Sequence, residues 1–385
     1  MKRPIYKNPG WITFLFIAMA FSAAQVSADF GSNTNTTIEA SGSIRTHTLI
    51  IGVNMWSGTP SDQFYARDAP LLTQIGIKHI RIGTGVTDTN VNRAIELGLD
   101  IIGTFGTTGL PDLNAFGDYV YDRVSHFKGR VNAWVVFNEP NWSGFKDDPA
   151  GYTTALKVAY TRAKEADPNV IICTGNLLST EGALTFLQEM YAAGAKGYFD
   201  VLGIDPYCYP ASPLEPNTGL HGHTFWKIPM LHDLMAQNED AEKGIWIVEF
   251  GYRTPGSGFY VDDGKTVSEE DQATYLTQAL ELASTWPWLE RFYIYEWMDS
   301  GDPLLGWWGL IRERYNPPYD IKPAFDAVEE FIAYQLNRFY IDDDKTTSEE
   351  DQATYLTQAL ELPSTWPWLA RARSYFQKRF SEALR

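Results

Sequence analysis

Two glutamates in this sequence close apolar runs of strand length. Glu139 stands in "WVVFNEPNW", Trp134 to Trp142, and Glu249 in "IWIVEFGYRT". Pro140 lacks a backbone donor and disfavours helical geometry at the residue before it, so the first run must stop near Glu139. A lone carboxylate at a strand's mouth is usually only solvated. Two of them, the first inside Asn-Glu-Pro, make a pair, and paired carboxylates flanking a scissile bond are what glycoside hydrolysis requires. One protonates the leaving oxygen while the other attacks the anomeric carbon or activates water. A separation of about 5 to 5.5 Å gives retention of configuration, and about 6.5 to 9.5 Å gives inversion.

The two glutamates are 110 residues apart, so the fold must bring them to one place. "TLIIGVNMW" is a continuous apolar run that suits a strand covered on both faces. "HIRIG", "IIGTFG", "WVVFNE", "IICTGN", "VLGIDPY", "IWIVEFG" and "RFYIYEW" follow it, making eight strand candidates. Helical patterns alternate with them: "LNAFGDYVYDRVSHF", "GYTTALKVAYTRAKEA", "GALTFLQEMYAAG" and "SEEDQATYLTQALELAST", the last opening on Ser268 and Asp271 as a capping-box-like start. "KPAFDAVEEFIAYQL" supplies a helix after the eighth strand. This alternation predicts an α/β protein, a (β/α)8 TIM barrel over residues 47–338. A dinucleotide fold would want a glycine-rich turn after its first strand, where this chain has "NMWSGTPSD". In such a barrel both glutamates fall at the C-terminal ends of strands, the fourth and the seventh, where βα loops converge on one mouth.

With these residues the chain resembles clan A of the glycoside hydrolases, retaining (β/α)8 enzymes, over roughly residues 47 to 337. Asn138 and Glu139 match the clan's strand-four acid/base motif, and Glu249 matches its strand-seven nucleophile. The resemblance implies further roles. Arg81 in "HIRIG" would lie beneath the nucleophile and keep it ionised. Tyr207 in "GIDPYCYP" would hydrogen-bond the nucleophile, and Trp297 in "IYEWMDS" would form a floor under the sugar. "WWGLIRERYNPPYDIKPAFDAV" resembles the clan's passage into the last helix. Asp205 departs from the pattern, since many relatives carry histidine two residues before the strand-six tyrosine; a carboxylate there would alter sugar contacts or the nucleophile's charge. Families 5 and 39 are nearest, the latter through "FNEPNW" and "VEFG".

Composition narrows the partners. The net charge of −17, from 48 acidic and 31 basic residues with no basic cluster, argues against a nucleic-acid backbone. Cys173 and Cys208 are too few for a disulfide framework; one bridge or two buried thiols both fit. The aromatic content of 14% suits stacking on sugar faces. Trp56, Trp142, Trp297, Trp307 and Trp308 lie in or beside expected βα loops, with Trp297 the best subsite wall. His221 and His223 in "HGH" make a weak metal site, and "TPGSG" with only Arg253 nearby makes a poor phosphate cradle. No metal or cofactor is expected.

The ends of the chain read differently. Lys2, Arg3 and Lys7 precede the apolar "WITFLFIAMAFSAA", and "VSA" at Val26 to Ala28 offers a cleavage site, so residues 1–28 read as a signal peptide. Cleavage would leave no stable membrane insertion. Residues 29–46 read as a flexible lead-in. Residues 259–291 recur at 339–371 with five of 33 positions changed. The second copy runs into the basic "ARSYFQKRFSEALR" rather than a strand, so residues 339–385 read as a duplicated helical tail whose apolar face, Leu356, Ala359 and Leu360, needs cover. These readings predict a secreted, retaining β-glycosidase acting on a carbohydrate substrate. Without the added β-sandwich typical of family 39 xylosidases, endo action of a cellulase-like or exopolysaccharide-cleaving kind is expected. An exo-β-xylosidase and a non-catalytic glycan-binding barrel are the alternatives.

Overall fold

The computed structural model describes residues 48–55, 64–83, 86–106, 112–215, 225–255, 265–299, 307–312 and 320–342, with side chains as far as 335. The signal peptide, the lead-in, the tail beyond 342, Trp56, His221 and His223 lie outside the described residues. Nine parallel strands form the sheet: β1 Ile50–Asn54, β2 His79–Arg81, β3 Asp100–Phe105, β4 Ala133–Val136, β5 Ile171–Cys173, β6 Leu177–Leu178, β7 Leu202–Asp205, β8 Ile245–Phe250 and β9 Leu289–Ile294. Their order is β5-β4-β3-β2-β1-β9-β8-β7-β6. A parallel bridge from Cys173 to Val201, just ahead of β7, joins the two ends of that order. The chain is a (β/α)8 barrel, and β5 and β6 share its fifth lane.

That lane breaks at Thr174-Gly175-Asn176. A Cβ on Gly175 would lie 2.6 Å from the carbonyl oxygen of Val136 and 2.7 Å from Cδ of Pro140. Only glycine lets the lane pass that close to the loop after β4. At the break Asn176 makes a parallel bridge with Asn138, just after β4.

The barrel is packed on both faces of its wall. Ile102, Ala133, Val135, Cys173, Val201, Trp246, Val248 and Tyr293 form one buried cluster, as the period-2 alternation of side chains dictates. The opposite faces meet the helices in a larger cluster. Each fully buried aliphatic or phenyl side chain there contributes about 1.5–3 kcal/mol relative to exposure. Cys173 and Cys208 are both buried free thiols, the second with its sulfur 3.0 Å from the Tyr252 hydroxyl, so the bridge between them does not form.

Among the described residues the covering helices are α1 Ala69–Gln74, α2 Asp88–Glu96, α3 Leu113–His126, α4 Pro149–Ala166, α5 Thr180–Ala192, α6 Pro229–Gln237, α7 Glu269–Ala283 and α8 Pro323–Asp342. Side chains accept backbone N–H groups at several of their starts: Thr87 for α2, Asp112 for α3, Asp148 for α4 and Ser268 for α7. Ser268 accepts from the N–H of Asp271 at 3.0 Å, the contact expected from the sequence. Among the described residues no helix is long and apolar enough to cross a membrane.

Candidate active site

The polar residues that end the strands converge on one mouth. Asn54 ends β1, Arg81 ends β2 and Asp205 ends β7, while Glu249 is the penultimate residue of β8. Glu139 sits differently from the sequence expectation, because β4 stops at Val136, three residues short of it. Phe137 and Glu139 take left-handed φ values of 68° and 43°, which no strand accommodates. The carbonyl of Glu139 then accepts the N–H groups of Trp142 and Ser143, both at 2.9 Å, fixing a tight turn. Pro140 rests against Gly175 beneath it.

Arg81 is the hub. One of its terminal nitrogens donates to Oε1 of Glu249 and to Oδ1 of Asn54 at 2.9 Å, and the other donates to Oδ1 of Asn138 at 2.7 Å. Asn54 in turn donates to the Val248 carbonyl at 2.8 Å. The second oxygen of Glu249, Oε2, accepts the Tyr207 hydroxyl at 3.1 Å. Asn176 donates to Oδ1 of Asn138 at 3.0 Å and also to Oδ2 of Asp205. With its carbonyl oxygen taking two donors, Asn138 has its amide N–H groups left to face the open mouth.

One oxygen from each of Glu139, Asp205 and Glu249 lies within 4.8 Å of the others. Burial, then the charge of Glu249, pushes the Glu139 carboxyl up to about 8, against the opposing pull of Arg81. Asp205 is fully buried, and burial, then Glu249 and Glu139, drives its carboxyl well above the usual range. The spacing would admit a cation, but Arg81 already supplies positive charge there. Of the three carboxyls, burial and mutual charge raise those of Glu139 and Asp205.

No protein-family model and no curated protein matches the chain. Solved structures do. A family 39 glycoside hydrolase from the gut symbiont Bacteroides cellulosilyticus WH2 matches at 21% identity with a TM-score of 0.59, covering 76% of this chain and 64% of that one. A monomeric β-xylosidase from Caulobacter crescentus CB15 matches at 15% and 0.55, covering 75% and 68%. Xylanase 10B from Thermotoga petrophila RKU-1 matches at 19% and 0.51, covering 80% of this chain and all of that one. The fold is that of the (β/α)8 glycosidases.

Within the barrel the aromatic residues sort differently from expectation. Trp297 is 1% exposed and packs on Phe325 with ring centroids 6.0 Å apart, so it belongs to the core and not to a sugar floor. The residue that leaves β9 at the mouth is Tyr295, joined to Glu296 by a cis peptide. Trp308 meets Tyr207, Tyr209 and Tyr295 edge-on at 5.5, 5.1 and 5.7 Å, forming an aromatic wall beside Glu249. A Cβ on Gly251 would lie 1.8 Å from the Tyr295 carbonyl, so glycine is required two residues past the glutamate. Trp142 stands on the loop after Glu139, 55% exposed. Asp205, expected to alter sugar contacts or the nucleophile's charge, is fully buried, accepts from Asn176 and has an oxygen within 4.8 Å of one of Glu249.

Behind the wall, Lys322 donates to Asp299 at 2.7 Å, to Thr254 at 3.0 Å and to the Trp307 carbonyl at 3.3 Å. This buried ion pair ties the start of α8 to the loops that carry Trp307 and Trp308. Arg253, considered for a phosphate cradle, is 9% exposed. Asn54, Asn176 and Tyr295 were not singled out from the sequence. Asn54 and Asn176 carry the same signal as Glu139, a polar residue closing an apolar run.

Proposed function

We propose that this chain is a secreted, retaining β-glycoside hydrolase that cleaves β-linked poly- or oligosaccharide within the chain. The observation that carries the reading is the approach of Glu139 and Glu249 to within 4.8 Å, oxygen to oxygen. So close an approach favours the short separation of about 5 to 5.5 Å used for double displacement over the separation of about 6.5 to 9.5 Å in an inverting pair.

In the first step Glu139 gives its proton to the glycosidic oxygen as the C1–O bond breaks, and Glu249 forms an ester to C1. In the second, Glu139 takes a proton from water as that water attacks C1 and releases Glu249. Arg81 and Tyr207, one on each oxygen of Glu249, fix the orientation of the nucleophile. The outward amide of Asn138 donates to the 2-hydroxyl of the reacting sugar, a contact that strengthens in the transition state.

Endo action is supported by the rim. Asn141 exchanges two 2.8 Å hydrogen bonds with Leu178, joining the Glu139 loop to β6. Beyond it, Lys227 pairs with Glu181 at 2.9 Å beside the exposed Trp226. Trp142 and Trp226 thus offer exposed indoles, a surface on which successive sugars of a polymer would stack. Secretion is supported by the charged and then apolar first 28 residues.

The test is hydrolysis of aryl β-glycosides and of soluble β-glucans, xylans and mannans by the full chain, with Glu249→Ala as control. Proton NMR of the first product gives its anomeric form. Turnover that releases the β-anomer and is lost in the variant supports the reading. Activity that persists in Glu249→Ala, or first release of the α-anomer, overturns it. Binding without turnover by the parent protein would favour a glycan-binding barrel.

A further inference from the structure

Asp205 is a buried carboxyl for which the double displacement has no use. It is 0% exposed, one of its oxygens accepts from Asn176, and the other, Oδ1, has no hydrogen-bond partner. The groups that face it come from every neighbouring lane: Arg81 from β2, Glu139 after β4, Cys173 from β5, Glu249 from β8 and Tyr207 just after its own strand. Of these only Arg81 is a cation, and it is already joined to Glu249. Ionising both Glu139 and Asp205 would leave two uncompensated negative charges in a cluster 4.8 Å across, with one of them sealed from water. Desolvation makes that arrangement untenable, and a proton is the available remedy.

We propose that Asp205 is a positioning residue that works as an uncharged, proton-bearing acid, seating Asn176 and, through it, Asn138 against the reacting sugar. The hydroxyl falls on Oδ1, which accepts nothing, and Oδ2 remains a carbonyl oxygen for the Asn176 amide. Asn176 is thereby fixed with one amide group spanning Asp205 and Asn138, and the Asn138 amide is held outward. Glu139, half-buried and open to the mouth, is left as the carboxyl that exchanges protons during turnover. Asp205 keeps its own throughout. The inference rests on the glycosidase reading for the role of Asn138, but the protonation state does not.

The test therefore has an arm without turnover. Infrared difference spectra of the full chain labelled with 13C-aspartate, parent against Asp205→Asn at pH 7, are expected to show the carbonyl stretch of a protonated carboxyl lost in the variant. A loss confined to carboxylate bands overturns the proposal whether or not the protein is an enzyme. In the kinetic arm, Asp205→Asn reproduces the neutral acid and is expected to stay within about threefold of the parent in kcat/KM with the alkaline limb unmoved. Asp205→Ala, checked for folding by circular dichroism, is expected to lose about 10- to 100-fold. An alkaline limb displaced to lower pH in Asp205→Asn would show that the aspartate carries a charge, and equal activity of the Asn and Ala variants would show that it positions nothing; either result overturns the proposal.

Discussion

Tyr207 donates its hydroxyl to Oε2 of Glu249 at 3.1 Å, on the oxygen that Arg81 does not hold. The two oxygens of the carboxylate are therefore unequal, one in an ion pair and one in a single hydrogen bond that fixes the carboxylate's orientation. Tyr207→Phe removes that bond without altering the ring that stacks on Phe250 at 6.3 Å. A hydrogen bond to a charged group is worth about 1.5–3 kcal/mol, so kcat is expected to fall about 10- to 100-fold with KM little changed. Steady-state kinetics on an aryl glycoside checks this.

In the proposed mechanism Glu139 carries a proton in the first step, and burial with the Glu249 charge holds its carboxyl up at about 8. The acid form therefore dominates below that pH and is lost above it, so kcat/KM is expected to fall as pH rises through about 8. In Glu139→Gln the limb disappears. Substrates with poor leaving groups slow by about 10²- to 10⁴-fold, while activated aryl groups, which need little protonation, are largely spared in the first step. A limb that survives in Glu139→Gln would belong to another residue.

Glu296 tests electrostatics away from the chemistry. It is 1% exposed, and burial, then the charges of Asp299 and Glu249, raises its carboxyl from 4.5 to about 9. Between those values the unfolded chain releases a proton that the folded one keeps, so the folded protein loses stability as pH rises across that window. Glu296→Gln removes this residue's share of the dependence. Its stability relative to the parent is expected to grow from about pH 4.5 to about pH 9 and to level off beyond, as read from urea melts across the range.

Trp142 stands 55% exposed three residues past the acid, with the Lys146 ammonium 5.7 Å from its ring centre. If a polymer's leaving portion stacks there, Trp142→Ala raises KM for a β-glycan by about 10-fold or more, since stacking and lost apolar contact are worth at least about 1–2 kcal/mol. KM for a short aryl glycoside should not move. Equal effects on both substrates would place the indole at the reacting sugar instead.

The strands and the carboxyl pair were legible because both are written in local pattern. Continuous apolar runs such as Ile245 to Phe250 became buried strands, and the polar residues that closed them became the mouth. Arg81, Asn138 and Tyr207 came together with the glutamates through the resemblance rather than through any spacing rule. Trp297 misled because alternation is lost once β9 ends at Ile294: a residue three places on is no longer bound to the strand's facing, and it turned into the core. The broken fifth lane was hidden for a related reason. Thr174-Gly175-Asn176 reads as the tail of one strand, and only the contact of Gly175 with Val136 and Pro140 reveals why it must part there.

The left-handed backbone at Glu139, φ 43°, has a consequence beyond the site. Glycine or asparagine adopts that conformation more readily than glutamate, and neither would bury a carboxyl beside Glu249. On the proposed mechanism the acid is thus held where the backbone favours another residue. If the proposed hydrolysis is the protein's work, a lineage released from it would have a thermodynamic reason to drift to Gly or Asn there.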